Sequence, residues 1–283
     1  MVISGKTRLV GLIGYPLEHT LSPLIHNSLF EKFGLDACYV PLPVKPERLT
    51  EAIAGLRAFG FLGANVTMPH KTEVIRLLDF LDTQAEISES VNTIRIEADA
   101  LIGYNTDGTG FCDSIQKEVG LNIEGLKVVL LGAGGAARSI AVALAARGCC
   151  SISIVNRTVE KAEYIKSLIE KTGMKTRVSI FALSEDYRSA IEDARLIVNA
   201  TPLEDMEREG YRFPFECIAP GSVVCDLKYV KTPSVFLSRA SLHKAVTVDG
   251  KGMLIYQAAL AFRLWTGIDP PIDFMRRVLQ SAI

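Results

Sequence analysis

The chain has 283 residues, enough for about two domains of ordinary size, each able to bury its own core. Lys and Arg number 31 against 32 Asp and Glu, and charged residues make up only 22%, so no bulk field calls for nucleic acid or an anionic membrane; small ligands are the expected partners. No stretch approaches the roughly 18 uninterrupted apolar residues of a membrane helix, and Lys6 and Arg8 interrupt any signal-like start, so a soluble, cytoplasmic protein is expected. Cys38, Cys112, Cys149, Cys150, Cys217 and Cys225 form no C-x-x-C and lie mostly among apolar neighbours, the pattern of reduced thiols. His19, His26, His70 and His243 are scattered without ligand spacing, and no metal site is expected.

In chain order, Arg8–Gly14 reads as a buried strand, followed by a turn with Thr20 and Ser22 and a helix over 23–33, for which Ser22 is a natural N-cap and Pro23 a first residue. Two hydroxyls close together at the carboxyl end of a strand also suit a ligand. A strand at Ala37–Pro43, an amphipathic helix over 47–59 and a strand over 62–66 come next. Pro69 cannot continue that last strand, so the chain turns and groups Asn65, Thr67 and Lys71 around one corner. If Pro69 starts a helix, Lys71 lies against the positive end of its dipole, a hint that it serves something else. Strands over 91–94 and 100–104 flank a turn containing Asp99, and a helix runs from 107 toward Val119, with Asp107 able to cap it.

A second alternating series starts at Leu126. Six mostly apolar, β-prone residues lead into Gly132-Ala133-Gly134-Gly135-Ala136-Ala137 and then an Ala-rich helix to Arg147, with a strand at 151–155 where a βαβ unit delivers one. Glycine permits the turn and close backbone approach, and the following helix offers unpaired N–H groups, so this is a place for a dinucleotide pyrophosphate. An NAD site carries an acidic residue at the end of the second strand, to accept from the ribose 2′-hydroxyl. Here the chain has Asn156-Arg157-Thr158 with Lys161 one turn on, which suits a 2′-phosphate and hence NADP; the plainer alternative is a solvated Arg and a capping Thr158. Further strands are expected over 177–183, 196–200, 222–227 and 245–248, with a polar loop over 204–212. A long apolar helix follows over 250–265, where Gln257 is the polar exception on a face with Met253, Leu260, Ala261 and Leu264; it is either a core hydrogen-bonder or a substrate contact. A last helix ends near Ile283.

Taken together, Thr20-Leu21-Ser22-Pro23-Leu24-Ile25-His26-Asn27, Asn65-Val66-Thr67-Met68-Pro69-His70-Lys71, Val91-Asn92-Thr93, Asn105-Thr106-Asp107-Gly108, the glycine turn and Asn156-Arg157-Thr158 resemble the shikimate dehydrogenase family. The likeness continues through Asn199-Ala200-Thr201-Pro202, Asp226-Leu227-Lys228-Tyr229 and Gly252-Met253-Leu254-Ile255-Tyr256-Gln257. It implies an α/β protein of two domains: a catalytic, substrate-binding domain over 1–106 plus 250–283, to which the last helices return, and a Rossmann-type doubly wound parallel sheet over 107–249. It implies reversible, NADP-dependent reduction of 3-dehydroshikimate to shikimate in aromatic amino-acid (chorismate) biosynthesis, by a monomer or homodimer. Position by position, Lys71 and Asp107 resemble the catalytic pair. Thr20, Ser22, Asn65, Thr67, Asn92, Tyr229 and Gln257 resemble the substrate ligands, and Thr201, Gly250 and Met253 join the glycine turn, Asn156, Arg157, Thr158 and Lys161 as cofactor contacts.

The residues could do this chemistry. Oxidising an alcohol leaves a proton to be removed, and a lysine beside a carboxylate can relay it; in reverse the protonated lysine polarises the ketone. Which of the two is the base stays open. Three departures from the family pattern stand out: Thr20 in place of Ser, Leu203-Glu204-Asp205-Met206 in place of Gly-Met, and a charged Lys251. The competing expectations are a quinate or quinate/shikimate dehydrogenase using NAD, and a non-catalytic NADP-binding regulator of the same fold.

Overall fold

A computed structural model describes residues 3–203, 211–228 and 232–282. The chain folds as two compact units, Met1–Gly110 with Ile255–Ile283, and Phe111–Leu254.

The first unit is built on a mixed six-stranded sheet. Its strands are β1 (Arg8–Gly14), β2 (Ala37–Pro43), β3 (Gly63–Val66), β4 (Phe80–Leu81), β5 (Thr93–Glu97) and β6 (Ala100–Tyr104), in the spatial order β2-β1-β3-β5-β6-β4. β1 runs parallel to β2 and β3, with Ile13 opposite Leu42 and Val66. β5 then reverses direction, setting Thr93 opposite both Asn65 and Tyr104. The hairpin β5–β6 turns through Ala98 and Asp99, both at positive φ (47° and 70°), the two-residue geometry that matches the strands' own twist. Helices α1 (Ser22–Lys32), α2 (Leu49–Ala58) and α3 (Thr83–Ser88) flank the sheet. One apolar core joins Ile53 and Leu56 of α2 to Val66, Val74, Val91 and Ile94.

Several local expectations change. Ser22 is not the N-cap of α1: that position falls to Leu21, with no side-chain cap, and the Ser22 N–H donates to Thr20 Oγ1 at 3.3 Å. The threonine hydroxyl two residues upstream takes the amide first, as Ser/Thr turns do. No helix starts at Pro69. Residues 67–72 form turns, the next helical segment is the 3-10 stretch Glu73–Leu77, and the dipole argument for Lys71 therefore lapses. β5 begins at Thr93 rather than Val91, because the Val91 N–H is taken by the Lys71 carbonyl at 2.8 Å.

Helix α4 (Asp107–Ser114) leads from the first unit into the second and is extended to Val119 by one π-helical turn, closed by Gly120 at φ 72°. The second unit holds β7 (Lys127–Leu131), β8 (Ser151–Asn156), β9 (Arg177–Ala182), β10 (Leu196–Asn199), β11 (Val223–Asp226) and β12 (Val246–Asp249). All pairings are parallel, in the order β9-β8-β7-β10-β11-β12. Renumbered from its own first strand this is 3-2-1-4-5-6, the doubly wound arrangement whose ligand crevice opens where the order reverses, between β7 and β10. The inner strands β7, β10 and β11, buried on both faces, read as the apolar runs that parallel sheets require, while β9 and β12 at the two edges stay partly exposed.

Helices α5 (Gly135–Ala146), α6 (Val159–Lys171), α7 (Arg188–Asp193) and α8 (Val235–Leu242) belong to the second unit. Helix α9 (Lys251–Thr266) starts there and continues into the first, where α10 (Ile272–Gln280) ends the chain. The polar loop expected over 204–212 lies outside the described residues except for Tyr211 and Arg212. No helix among the described residues is long and apolar enough to cross a membrane.

Candidate active site

Strand direction decides which residues meet in the first unit. β1 and β3 are parallel, so the loops leaving them, carrying Thr20 and Ser22 on one side and Thr67 to Lys71 on the other, emerge at the same edge of the sheet. β5 is antiparallel to β3, so its beginning, with Asn92 just before it, reaches that edge, as does the end of β6 with Asn105, Thr106 and Asp107. Six of the expected substrate and catalytic residues thus come from four segments at one edge. Gly14 makes the corner possible: a Cβ there would run into the Thr67 methyl and stand 2.8 Å from Leu17 Cδ2.

Lys71 Nζ lies 2.5 Å from Asp107 Oδ2, with the side chains 20% and 8% exposed. An ion pair so far out of water is strengthened by its surroundings and must be held by further bonds to be worth its desolvation. Asn92 supplies one, donating from Nδ2 to Asp107 Oδ1 at 2.8 Å. Its amide cannot be flipped, since the Thr106 N–H donates to Asn92 Oδ1 at 2.8 Å while Nδ2 faces the carboxylate and Thr106 Oγ1. Asn92, expected as a substrate ligand, thus also aims Asp107. Asp107 does not cap α4 with its side chain; Asn105 accepts the Asp107 N–H at 3.1 Å and fills that role.

Gln257 of α9 faces Asn92, accepting at Oε1 from Nδ2 at 3.4 Å. The two helices can approach because residue 110 is glycine: a Cβ there would stand 2.5 Å from the Gln257 backbone nitrogen. Asn65 donates from Nδ2 to the Asn92 carbonyl at 3.0 Å and to Thr93 Oγ1 at 2.9 Å, and accepts from the Tyr39 hydroxyl at 2.8 Å. Tyr39 and Thr106 were not singled out from the sequence. A tyrosine in an apolar strand carries no periodic or motif signal, and only the fold places its hydroxyl against Asn65. Tyr229 lies outside the described residues. A wider hollow of about 790 Å³, lined by Arg95, Tyr104, Thr109, Arg263 and Trp265 among others, holds none of the expected site residues. Its two arginines are each paired, Arg95 with Glu97 at 3.0 Å and Arg263 with Asp269 at 3.3 Å.

In the second unit a cavity of about 300 Å³ gathers Ala133, Gly134, Asn156, Arg157, Thr158, Lys161 and Thr201 with Leu131, Val155, Leu183, Pro202, Leu203 and Tyr211. The glycines differ in what they are for. Gly132 has φ 104°, and a Cβ would press on Thr201 Cγ2 at 2.8 Å and the Ala200 carbonyl at 3.0 Å, so the turn itself demands it. At Gly134 and Gly135 φ is not in the left-handed range, and an added Cβ would meet nothing within 4 Å. The protein's own packing does not require glycine there, whereas a phosphate approaching the backbone would. Gly134 stands at the N-cap of α5 and no side chain caps that helix, which leaves first-turn N–H groups for an anion.

Thr158 occupies the N-cap position of α6 without a side-chain cap bond, and the Asn156 amide donates to its carbonyl at 2.7 Å. No carboxylate lines the cavity among the described residues, while Arg157 and Lys161 both do. These groups fit a dinucleotide bearing an extra phosphate. Gly132, Gly135, Ala136, Gly250 and Met253 do not line it. Gly250 is explained by packing, since a Cβ would collide with the Leu227 carbonyl. Lys251, the charged departure, pairs with Asp249 at 3.0 Å, and Asp249 also accepts the Lys251 N–H at the start of α9.

A doubly wound parallel sheet with a glycine turn leaving its first strand, joined in one chain to an α/β unit with a buried lysine–carboxylate pair, defines a Rossmann-type oxidoreductase class. The comparisons narrow it. The shikimate dehydrogenase substrate binding domain matches residues 12–94, shikimate / quinate 5-dehydrogenase matches 113–206, and the shikimate 5′-dehydrogenase C-terminal domain matches 250–280. The chain is 44% identical over 281 residues to shikimate dehydrogenase (NADP(+)) of Rubrobacter xylanophilus, covering 99% of this chain and 98% of that one. Its structure is similar to shikimate 5-dehydrogenase of Listeria monocytogenes in complex with shikimate and NAD, at 35% identity, 98% coverage of each chain and a TM-score of 0.92. It is also similar to shikimate 5-dehydrogenase of Thermus thermophilus in complex with NADP(H) and shikimate, at 31% identity, with 98% of this chain and 100% of that one covered and a TM-score of 0.84. The chain belongs to the shikimate dehydrogenase family.

Proposed function

We propose that this protein is an NADP-dependent shikimate dehydrogenase that interconverts 3-dehydroshikimate and shikimate, with Lys71 and Asp107 as its catalytic pair. The observation that carries the catalytic assignment is the 2.5 Å contact between Lys71 and Asp107, buried and aimed by Asn92. Arg157 and Lys161, which line the cavity with Asn156 and Thr158 at the end of β8, support NADP over NAD, since their charge suits a 2′-phosphate. When bound, the nicotinamide accepts or supplies the hydride; the chain must supply binding, orientation and a path for the proton.

Lys71 does the proton work. In the reducing direction its ammonium, held by one bond to Asp107, has further N–H bonds for the ketone oxygen, polarises it and then protonates the alkoxide. In the oxidising direction the lysine–carboxylate pair takes the hydroxyl proton. Asn92 keeps Asp107 from rotating away, so the ammonium stays where the reacting oxygen arrives. The hydroxyls of Thr20, Ser22 and Thr67, with Asn65 and Gln257, suit a polyol acid whose every buried hydroxyl needs its own partner.

Steady-state assays with shikimate or quinate and NADP or NAD, read by nicotinamide absorbance, test the assignment. Shikimate with NADP is expected to give the highest kcat/KM; strong preference for quinate with NAD would overturn it. Lys71→Ala is expected to lower kcat by about 10²–10⁴, the usual worth of general acid–base catalysis, with little change in shikimate binding. An unchanged kcat would remove Lys71 from the chemistry.

A further inference from the structure

Tyr39 stands between two residues of that site and has no part in the mechanism above. It lies on β2 with 1% of its surface exposed, and its hydroxyl is 2.8 Å from Asn65 Oδ1. The direction of every proton here can be deduced. The Asn92 carbonyl can only accept, so the Asn65 amide must turn Nδ2 toward it, at 3.0 Å. Oδ1 then faces Tyr39, and the phenol must donate. With its proton committed, the phenol oxygen can only accept from a further donor, and the Ser22 hydroxyl stands near enough to favour its charged form. Asn65 has spent both its N–H bonds, on the Asn92 carbonyl and on Thr93 Oγ1. All it can offer a ligand is the remaining lone pair of Oδ1.

The ring is held as firmly as the hydroxyl. His26 stacks on it with centroids 4.6 Å apart and planes at 15°, and Trp265 closes in at 6.1 Å. Trp265 is itself pinned by its indole N–H to the Ile94 carbonyl at 2.9 Å. A phenol so confined cannot follow a ligand, but it can fix what surrounds it.

We propose that Tyr39 is a positioning residue for substrate recognition, holding Asn65 as an acceptor for a substrate hydroxyl beside Ser22 at the start of α1. This rests on the reading of Ser22 and Asn65 as substrate contacts. Asn65 is on this account a reader of hydroxyls and not a donor to the carboxylate. A ligand lacking a hydroxyl at that place leaves the lone pair unpaired, and one presenting an acceptor there meets repulsion.

Tyr39→Phe removes one oxygen and keeps the stacked ring. In steady-state kinetics on the whole enzyme it is expected to raise KM for shikimate about tenfold, the loss of one buried hydrogen bond, with kcat within about twofold and KM for NADP unchanged. Ser22→Ala is measured beside it, and the double variant is expected to lose less than the product of the two single losses, because both act through one network. If Ser22→Ala raises KM and Tyr39→Phe does not, the positioning role is overturned and the site reading stands. If neither raises it, both fall. A loss of kcat, or a lowered Tm with equal losses toward shikimate and NADP, would mark Tyr39 as structural only and overturn the proposal.

Discussion

At the scale of single residues, this protein orients its site through amides with no remaining freedom. Asn65 and Asn92 each bridge neighbouring segments, and in each the identity of one partner fixes which end of the amide is oxygen. Cofactor choice is expected to turn on the same scale, on Arg157 after β8, where an NAD site carries an acid. A hydrogen bond to a charged group is worth about 1.5–3 kcal/mol, so Arg157→Ala is expected to raise KM for NADP roughly 10- to 100-fold. KM for NAD should barely change, and assays with both cofactors check the difference. Equal losses would mean that Arg157 does not meet the 2′-phosphate. These residue types were legible as motifs. Tyr39 was not, because a buried phenol in an apolar strand looks like any other core aromatic until its partner is known.

Elements set which of these residues can meet. The reversal of β5 against β3 brings Asn92 to the edge that Asn65 already occupies, and no spacing rule announces that reversal. Helix α9 brings Gln257 to Asn92 from a position 165 residues later in the chain. Its approach to α4 depends on Gly110, where a Cβ would stand 2.5 Å and 2.8 Å from the Gln257 backbone N and Cα. Backbone cannot give way as a side chain can, so Gly110→Ala should part the helices at a cost of about 1–3 kcal/mol. It should also lower kcat/KM for shikimate by moving Gln257. A urea midpoint and shikimate kinetics check this; unchanged values in both would show that the contact relaxes freely.

For the molecule as a whole, stability carries an acid-sensitive point at His26. The ring is fully buried among Tyr39, Phe262 and Trp265, and neither nitrogen has a hydrogen-bond partner among the described residues. Burial disfavours the imidazolium and lowers the pKa from 6.5 to about 3. The folded chain therefore stays neutral at this site while the unfolded chain takes up a proton below pH 6.5. The stability at stake is complete above that value and is lost progressively as pH falls toward about 3, at up to about 1.4 kcal/mol per pH unit. His26→Phe removes the titrating ring and keeps an aromatic in the stack. Its stability relative to the parent should rise as pH falls from neutrality to about 5, measured by denaturant unfolding at both pH values. A difference independent of pH would show that His26 is not neutral in the fold.

Much was determined by the sequence itself. β1, β2, β6 and the parallel strands of the second unit stand close to where their apolar runs and glycine stops placed them, because those signals are local. The glycine turn, the Asn156-Arg157-Thr158 cluster and the candidates Lys71 and Asp107 were legible for the same reason. Tertiary structure decided what those residues do to one another. It moved Lys71 off a helix start, took the N-cap from Ser22, made Asn92 a clamp on Asp107, and set Tyr39 beneath Asn65. Each of these outcomes depends on which distant backbone group reaches a given donor or acceptor first, and that competition is settled only when sheet order and strand direction are in place.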